Sequence, residues 1–273
     1  MAKAQPPSFL KDIGQDVVTV HVGPDKTPFL VHKDLLTTSS PYFKAAFEGE
    51  FREATDKTIL LEDISVIQFK LFLDWLYFGR LTEARIKRGE CACCETSGLN
   101  CRAVCHRDPA AGRLHAFKQL SEEEDTRLEA IIADGSWNSI KLYIFADRYD
   151  VPSLRKAIID KSWSTWISMC RLNLSATILA LRNLPYKSEM CRLLIDSYTE
   201  SWKFRYDMSC DNDVLLQQKL PAEFLFHVSN GLARLDSVPG QRIKVIKNLC
   251  AYHEHPQDEE SIKACPGADK IRK

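Results

Sequence analysis

The sequence predicts an α+β fold, in which a small sheet is covered by helices and is followed by an all-helical extension. Three observations predict it: apolar residues that alternate early in the chain, capped helix starts that follow closely, and helical spacing through most of the second half. Val18, Val20 and Val22 alternate with more polar neighbours, which is typical of a strand with one buried face. Because a segment with turn composition follows, residues 16–31 are predicted to form a hairpin.

Two helix starts and a third strand are predicted next. Ser40 can cap a helix whose first residue is Pro41, because serine accepts from free N–H groups and proline is tolerated at that position. Residues 58–61 are predicted to form the third strand. Ser65-x-x-Gln68 is a capping box that begins a further helix, which we expect to cover the sheet.

Helical spacing dominates the last part of the chain. Amphipathic helices are predicted at 174–184, at 190–202 and from Pro221 onward. The residues predicted to share the apolar face of the last of these helices are Phe224, Val228 and Leu232. By contrast, the stretch from 81 to about 124 carries glycines, charges and half of the cysteines without sustained periodicity, which is typical of an insertion.

An ordered series of motifs runs through the first half of the chain. It consists of Asp16-Val-Val, Val31-His32-Lys-x-Leu-Leu, Ser39-Ser-Pro-Tyr-Phe-Lys and Phe51-Arg-Glu53. This series resembles the BTB/POZ domain, and the resemblance implies the BTB/POZ fold. It resumes at Leu142-Tyr-Ile-Phe-Ala-Asp-Arg-Tyr-Asp-Val-Pro-x-Leu154, which looks like the later helical hairpin of the family. Further on, Leu184-Pro185 and Cys191-Arg-Leu-Leu-x-x-x-Tyr198 look like the C-terminal extension of fungal BTB proteins.

The resemblance and the periodicity together divide the chain. The predicted parts are a short leader at 1–14, a BTB/POZ domain at 15–170 with a Cys-rich insertion at about 81–124, a helical extension at 171–255 and a tail at 256–273. The resemblance admits a homo-oligomer, although this leader is shorter than in family members that dimerise by strand exchange.

Charge and composition exclude several classes of function. The 37 Lys and Arg residues equal the 37 Asp and Glu residues, so no overall field favours nucleic acid or an anionic membrane. No apolar window is long enough for a signal peptide or a spanning helix, which predicts a cytosolic or nuclear protein. There, the ten cysteines are expected to be thiols or metal ligands. The sequence shows no phosphate loop, nucleophile elbow or acid–base pair, so no enzyme is predicted.

Phe51-Arg52-Glu53 is the first candidate site. It fits the hydrophobic-x-acid pattern with which BTB adaptors engage a cullin scaffold, so the resemblance implies partner-binding roles for Phe51 and Glu53. An aromatic side chain can fill a pocket of the partner while the acid fixes the register. The alternative is that this loop is only the family's entry into the third strand.

The insertion holds the second candidate site. Its thiols and imidazole belong to Cys91, Cys93, Cys94, Cys101, Cys105 and His106. Such ligands can hold a tetrahedral zinc ion that orders a loop without a core of its own, and the alternative is a thiol-bearing loop without metal. The insertion is also basic, which admits local contact with nucleic acid or an acidic partner, but it lacks interleaved aromatic residues.

The third candidate site lies near the C-terminus. Cys250, His253, His255 and Cys265 have the ligand types of a closed structural zinc site. Because residues two apart in an extended chain project to the same side, the two histidines can reach one ion. The alternative is a surface tail with two incidental histidines.

The resemblance and the absence of catalytic motifs favour a non-catalytic protein-interaction module, in its most concrete form a substrate adaptor of a cullin-type ubiquitin ligase. In that form Phe51 and Glu53 meet the scaffold, and the insertion or the tail meets a substrate. The alternative class is a zinc-bearing transcriptional or chromatin regulator that uses the Cys-rich basic insertion. The only cofactor considered is structural zinc.

Overall fold

The computed structural model describes residues 14–81, 120–134, 138–168, 174–201, 215–236, 248–256 and 258–268. The chain divides into two compact units. The first unit comprises residues 1–82 and 141–158, and the second comprises residues 83–140 and 159–273. The predicted insertion falls almost entirely outside the described residues.

A three-stranded sheet forms the centre of the first unit. Strand β1 (Val17–Val22) pairs antiparallel with β2 (Thr27–His32) and parallel with β3 (Thr58–Leu61), so the strand order is β2-β1-β3. The predicted hairpin and the third strand are confirmed. The predicted buried face of β1 is confirmed as well, because Val18, Val20 and Val22 are almost fully buried. A parallel pair needs a crossover connection, and helices supply it here.

Three short helices make this crossover. They are α1 (Lys33–Ser39), α2 (Pro41–Glu48) and α3 (Arg52–Asp56). The predicted cap at Ser40 is confirmed, since its Oγ accepts the N–H of Phe43 at 3.1 Å. The same hydroxyl donates to the carbonyl oxygen of Tyr149 at 2.6 Å. Ser40 therefore both starts α2 and ties it to a segment more than a hundred residues away.

The next helix, α4 (Val66–Phe78), begins at the predicted serine but not with a reciprocal capping box. Ser65 Oγ accepts the N–H of Gln68 at 3.2 Å, as expected for a cap. The side chain of Gln68 instead donates to the carbonyl oxygen of Lys141 at 2.6 Å. A long-range acceptor thus replaces the local one, and Gln68 links α4 to the later part of the first unit.

Aromatic rings fill the core of the first unit. Phe43, Phe69, Phe72 and Phe145 have no exposed surface, and Tyr149 is buried as well. The Phe72 and Phe145 ring centres are 4.7 Å apart, and those of Phe145 and Tyr149 are 4.8 Å apart. Such contacts contribute beyond the area that they bury. Phe145 and Tyr149, from the later part of the first unit at 141–158, therefore supply core side chains.

Helices make up the rest of the described chain. They are α5 (Glu122–Asp134), α6 (Asn138–Arg148), α7 (Pro152–Ser168), α8 (Leu174–Asn183), α9 (Glu189–Ser201) and α10 (Ala222–Asp236). Among the described helices, none combines the length and apolarity that a membrane crossing needs. Phe224 and Val228 of α10 are buried as predicted, but Leu232 is 40% exposed and the prediction for it is wrong. The third apolar position of that face lies one turn too near the end of the helix to be covered.

Ion pairs join the helices of the second unit. Both guanidinium nitrogens of Arg182 in α8 bind the Glu129 carboxylate in α5, at 2.6 and 3.2 Å. Lys219 Nζ lies 3.0 Å from the same carboxylate. These hydrogen bonds, with that of Arg182 first, lower the pKa of Glu129 to about 2. The carboxylate is therefore held in its charged form by two cations.

A short C-terminal segment completes the second unit. It contains a 3-10 helix (Leu249–Tyr252) and α11 (Glu259–Ala264). The Tyr252 hydroxyl donates to the Asp196 carboxylate in α9 at 2.7 Å, and Arg192 donates to the carbonyl oxygen of Ala251 at 3.0 Å. We call residues 248–268 the C-terminal segment. Polar contacts hold it to α9.

Candidate functional site

The structure describes two of the three predicted sites. The insertion cluster of Cys91, Cys93, Cys94, Cys101, Cys105 and His106 lies outside the described residues. Phe51 and Glu53 lie in the first unit, and Cys250, His253, His255 and Cys265 lie in the C-terminal segment of the second. Each site is built within a single unit.

Phe51 is presented at the surface by the chain around it. It occupies the N-cap position of α3 with extended backbone angles, and 60% of its surface is exposed. Gly49 leaves room for the ring, since a Cβ at that position would lie 3.3 Å from Phe51 Cδ2 and 2.4 Å from the carbonyl oxygen of Ala45. Lys57 closes α3 with a positive φ of 51°. The aromatic side chain is thus held out by a short, well-defined turn.

Glu53 and Tyr42 accompany the exposed ring. Burial raises the pKa of the Tyr42 hydroxyl, and the negative charge of Glu53 raises it further. Tyr42 is 42% exposed and packs its ring 5.2 Å from that of Tyr149. We call the patch formed by Tyr42, Phe51 and Glu53 the Phe51 surface. It joins apolar area to one acidic group.

A small three-stranded sheet of this order, with a helical crossover and a covering helix, is an α+β architecture. Residues 11–90 match the BTB/POZ domain, and this part of the chain is a BTB/POZ domain. The BTB/POZ domain is a non-enzymatic protein-interaction module. The resemblance drawn from the motifs between Asp16 and Glu53 is therefore confirmed, whereas the part drawn from 142–154 and the likeness to fungal proteins stay predictions.

Similar proteins come from animals. The chain is 40% identical over 65 residues to Kelch-like protein 30 of Homo sapiens. These 65 residues are 24% of this chain and 11% of that protein. The chain is 39% identical over 54 residues to Kelch-like ECH-associated protein 1A of Danio rerio, which covers 20% of this chain and 9% of that protein. The chain thus aligns with only about a tenth of the length of these relatives. They do not favour the alternative of a zinc-bearing regulator.

The C-terminal residues predicted as metal ligands come together in space. Cys250 Sγ lies 3.2 Å from His255 Nε2, and Cys265 Sγ lies 3.0 Å from His253 Nδ1. The ligand atoms of Cys250, His255 and Cys265 all lie within 4.8 Å of one another. We call these four residues the Cys/His cluster. No disulfide joins the cysteines of the described part of the chain, Cys191, Cys250 and Cys265.

Each histidine of the cluster uses its second ring nitrogen elsewhere. His253 Nε2 lies 2.7 Å from the Asp160 carboxylate in α7, and His255 Nδ1 lies 2.8 Å from the carbonyl oxygen of Pro256. Since carboxylate and carbonyl oxygens only accept hydrogen bonds, these outer nitrogens carry the hydrogen. The inner nitrogens, which face the sulfurs, are therefore the ones available as ligands.

The surroundings of Cys265 favour its thiolate. Burial raises the pKa of this thiol, but the backbone N–H of Gly267 and the side chains of His253, His255 and Cys250 outweigh burial and lower it to about 6. The Gly267 nitrogen lies 3.4 Å from Cys265 Sγ. A thiolate, and not a thiol, is the nucleophile and metal ligand of cysteine.

Sequence reasoning missed two members of this site. Asp160 lies 93 residues before His253, so no local spacing could reveal it. Gly267 follows Cys265 in a Cys-Pro-Gly turn, and a Cβ at this glycine would lie 2.9 Å from His253 Cε1 and 3.1 Å from the Cys250 nitrogen. That turn was a readable signal, because glycine after proline marks close backbone approach or a turn.

Proposed function

We propose that this protein is a non-catalytic adaptor that links a cullin-type ubiquitin ligase scaffold to a substrate. Two findings support the coarser part of this proposal, namely the BTB/POZ domain at 11–90 and the similarity of that stretch to Kelch-like proteins. The observation that carries the finer part is the Phe51 surface. A Phe that is 60% exposed, presented beside a carboxylate, fits the hydrophobic-x-acid pattern that the resemblance implies for a cullin contact.

The chemistry of the Phe51 surface suits an anchor. Fully burying a Phe side chain stabilises a contact by about 1.5–3 kcal/mol, so Phe51 has much to gain from a partner's apolar pocket. Glu53 lies within the same short helix and can pair with a cation or with N–H groups at the rim, which fixes register more than affinity. Tyr42 widens the apolar area and is itself held by its contact with Tyr149. The patch therefore combines a central aromatic anchor with a polar border, as interface hot spots do.

The scaffold contact is tested with the full chain and a purified cullin N-terminal region. We expect binding at micromolar concentration or tighter for the wild type. The double variant Phe51→Ala/Glu53→Ala should bind at least about 30-fold more weakly, since loss of a hot spot costs about 2 kcal/mol or more. The measurement is isothermal titration of each protein against the cullin fragment.

Arg52→Ala is the matched control. Arg52 lies between the two motif residues, its side chain is 87% exposed, and it forms an ion pair with Asp56 at 2.8 Å. Its replacement should change affinity by less than about threefold, because exposed pairs contribute little. Circular dichroism confirms that all variants are folded. No binding by the wild type, or equal binding by the wild type and the double variant, would contradict the proposal.

Substrate binding is assigned to the parts of the chain outside the BTB/POZ domain. The helical second unit and the basic insertion are the regions that we assign to substrate contact, in the cytosol or nucleus. A homo-oligomer is compatible with this arrangement. A salt-dependent affinity for nucleic acid that disappears with the insertion would instead favour the regulator.

A further inference from the structure

We propose that the Cys/His cluster binds one zinc ion, with Cys250, His255 and Cys265 as three ligands and His253 Nδ1 as the fourth. This inference is independent of the scaffold contact, since all four residues lie in the second unit and none belongs to the Phe51 surface. The ion is assigned a structural role: it fastens the C-terminal segment to its own unit.

Two sulfur–nitrogen distances within the cluster are close to those of tetrahedral zinc. With Zn–S bonds of about 2.3 Å and Zn–N bonds of about 2.0–2.1 Å, neighbouring ligand atoms of a tetrahedron lie roughly 3.3–3.8 Å apart. The Cys250 sulfur and the His255 nitrogen lie 3.2 Å apart, and the Cys265 sulfur and the His253 nitrogen lie 3.0 Å apart. Both are close to a tetrahedral edge. Cys250, His255 and Cys265 already lie within 4.8 Å of one another, whereas His253 Nδ1 is near Cys265 only, so its ring must move towards the other two ligands to complete the tetrahedron.

The outer hydrogen bonds of the histidines are those of metal ligands. Metal-bound histidine almost always donates its other N–H to a carboxylate or a backbone carbonyl, which fixes the tautomer and orients the ring. His253 has the Asp160 carboxylate in this position, and His255 has the carbonyl oxygen of Pro256. Two histidines that bind no common ion would not be expected to share this arrangement. In each, one ring nitrogen is hydrogen-bonded to an oxygen and the other faces a cysteine sulfur.

The charges also balance. Both sulfurs bind Zn²⁺ as thiolates, and their two negative charges cancel the charge of the ion. The histidines bind as neutral imidazoles. Soft thiolate with imidazole in a tetrahedral set favours zinc over magnesium or calcium, which take oxygen ligands. With Cys250 and Cys265 buried, the site is closed, and four protein ligands leave no position for a reacting water.

The C-terminal segment needs a source of stability besides its own secondary structure. Its regular structure amounts to one 3-10 turn, Leu249–Tyr252, and one helix, Glu259–Ala264, in which no residue is buried. So short a segment buries too little apolar surface to be stable by itself, and metal binding then supplies folding free energy directly. We infer that loss of zinc releases residues 248–268 while the BTB/POZ domain stays folded.

Zinc content tests the site first. The full chain, purified without chelator, is compared with Cys265→Ser and with Cys191→Ala by elemental analysis. Cys265→Ser should contain one zinc per chain less than the wild type, whatever the insertion thiols bind. Cys191→Ala removes another buried thiol that lies outside the cluster and should keep the wild-type content. Equal zinc in the wild type and Cys265→Ser overturns the proposal, as does a Cys250–Cys265 disulfide found by intact mass under non-reducing conditions.

Two milder variants guard against a protein that fails to fold. His255→Cys keeps a thiolate ligand and should retain the zinc. Asp160→Asn alters only the group behind His253 and should weaken zinc binding about 10–100-fold in competition with a chelator. Hydrogen exchange should then show that chelation exposes residues 248–268 but leaves the amides of β1 protected. Unchanged affinity in Asp160→Asn would remove His253 from the set, and unchanged exchange would remove the structural role.

Discussion

The BTB/POZ domain and the C-terminal segment are stabilised by different means. In the first unit, which includes most of the BTB/POZ match, five aromatic rings and Val18, Val20 and Val22 of β1 form the core. In the C-terminal segment, the buried residues include Cys250, His253 and Cys265, which are the candidate ligands themselves. The C-terminal segment is too short to form an apolar core. Its buried side chains therefore include thiols and an imidazole, whereas those of the domain are mainly phenylalanines. The difference teaches that burial alone does not reveal the kind of stabilisation, because residues of similar burial form an aromatic core in one region and the proposed zinc ligands in the other.

The largest effect is expected from breaking the aromatic core. Phe72→Ala removes a ring with no exposed surface that touches Phe43, Phe69 and Phe145, and it should lower the free energy of unfolding of the domain by about 3–5 kcal/mol. Ile67→Ala in the same helix is the control, since Ile67 is 68% exposed and should change stability by less than about 0.5 kcal/mol. Hydrogen exchange of the β1 amides in mild denaturant assigns the loss to this domain. A loss for Phe72→Ala below about 1 kcal/mol would show that the ring is not essential to the core.

Local signals explain why so much of this domain could be predicted from the sequence. Alternating valines and the Ser40-Pro41 pair each act within a few residues, and both appear as predicted: Val18, Val20 and Val22 are buried in β1, and Ser40 Oγ accepts the N–H of Phe43 at 3.1 Å. The parallel pairing of β3 with β1 and the bond from Gln68 to Lys141 were not predictable in this way. Both depend on segments that are distant in the chain and are brought together only by the fold.

Adding a methyl group at Gly267 in the C-terminal segment should lower stability less than Phe72→Ala does, and only within that segment. Gly267→Ala would place its Cβ 2.9 Å from His253 Cε1 and 3.1 Å from the Cys250 nitrogen, so the ring or the backbone of the Cys/His cluster must move. Overpacking of this kind costs about 1–3 kcal/mol. We expect faster hydrogen exchange throughout 248–268 and weaker zinc binding, with the β1 amides unchanged. The control, Ala264→Ser, adds one atom at an exposed position and should have neither effect.

The outcome of Gly267→Ala separates packing from coordination. Weaker protection with unchanged zinc affinity would mean that the segment is held by packing, and the contrast with the domain would disappear.

The cluster's four candidate ligands could be recognised from their spacing alone, since Cys250, His253 and His255 lie within six positions and Cys265 follows soon after. Asp160 could not, because its place behind His253 arises from α7 packing on a segment that is far away in sequence.

The smallest effect concerns the ion pairs of the second unit and is a dependence on pH. The pKa of Glu129 is about 2 in the folded protein, below the usual value of a glutamate, because of its hydrogen bonds with Arg182 and Lys219. A carboxyl whose pKa is lowered by folding stabilises the protein above its unfolded pKa, and the contribution is lost as the pH falls from about 4.5 towards 2. Since Arg182 and Glu129 are 37% and 42% exposed, solvent screens the pair and we expect it to contribute only about 0–1 kcal/mol to stability.

Urea unfolding of the wild type and Glu129→Gln between pH 2 and 6 measures this contribution. The two free energies of unfolding should differ at pH 6 and converge near pH 2. A constant difference across this range would show that Glu129 acts through packing, as the aromatic core does, and not through its charge.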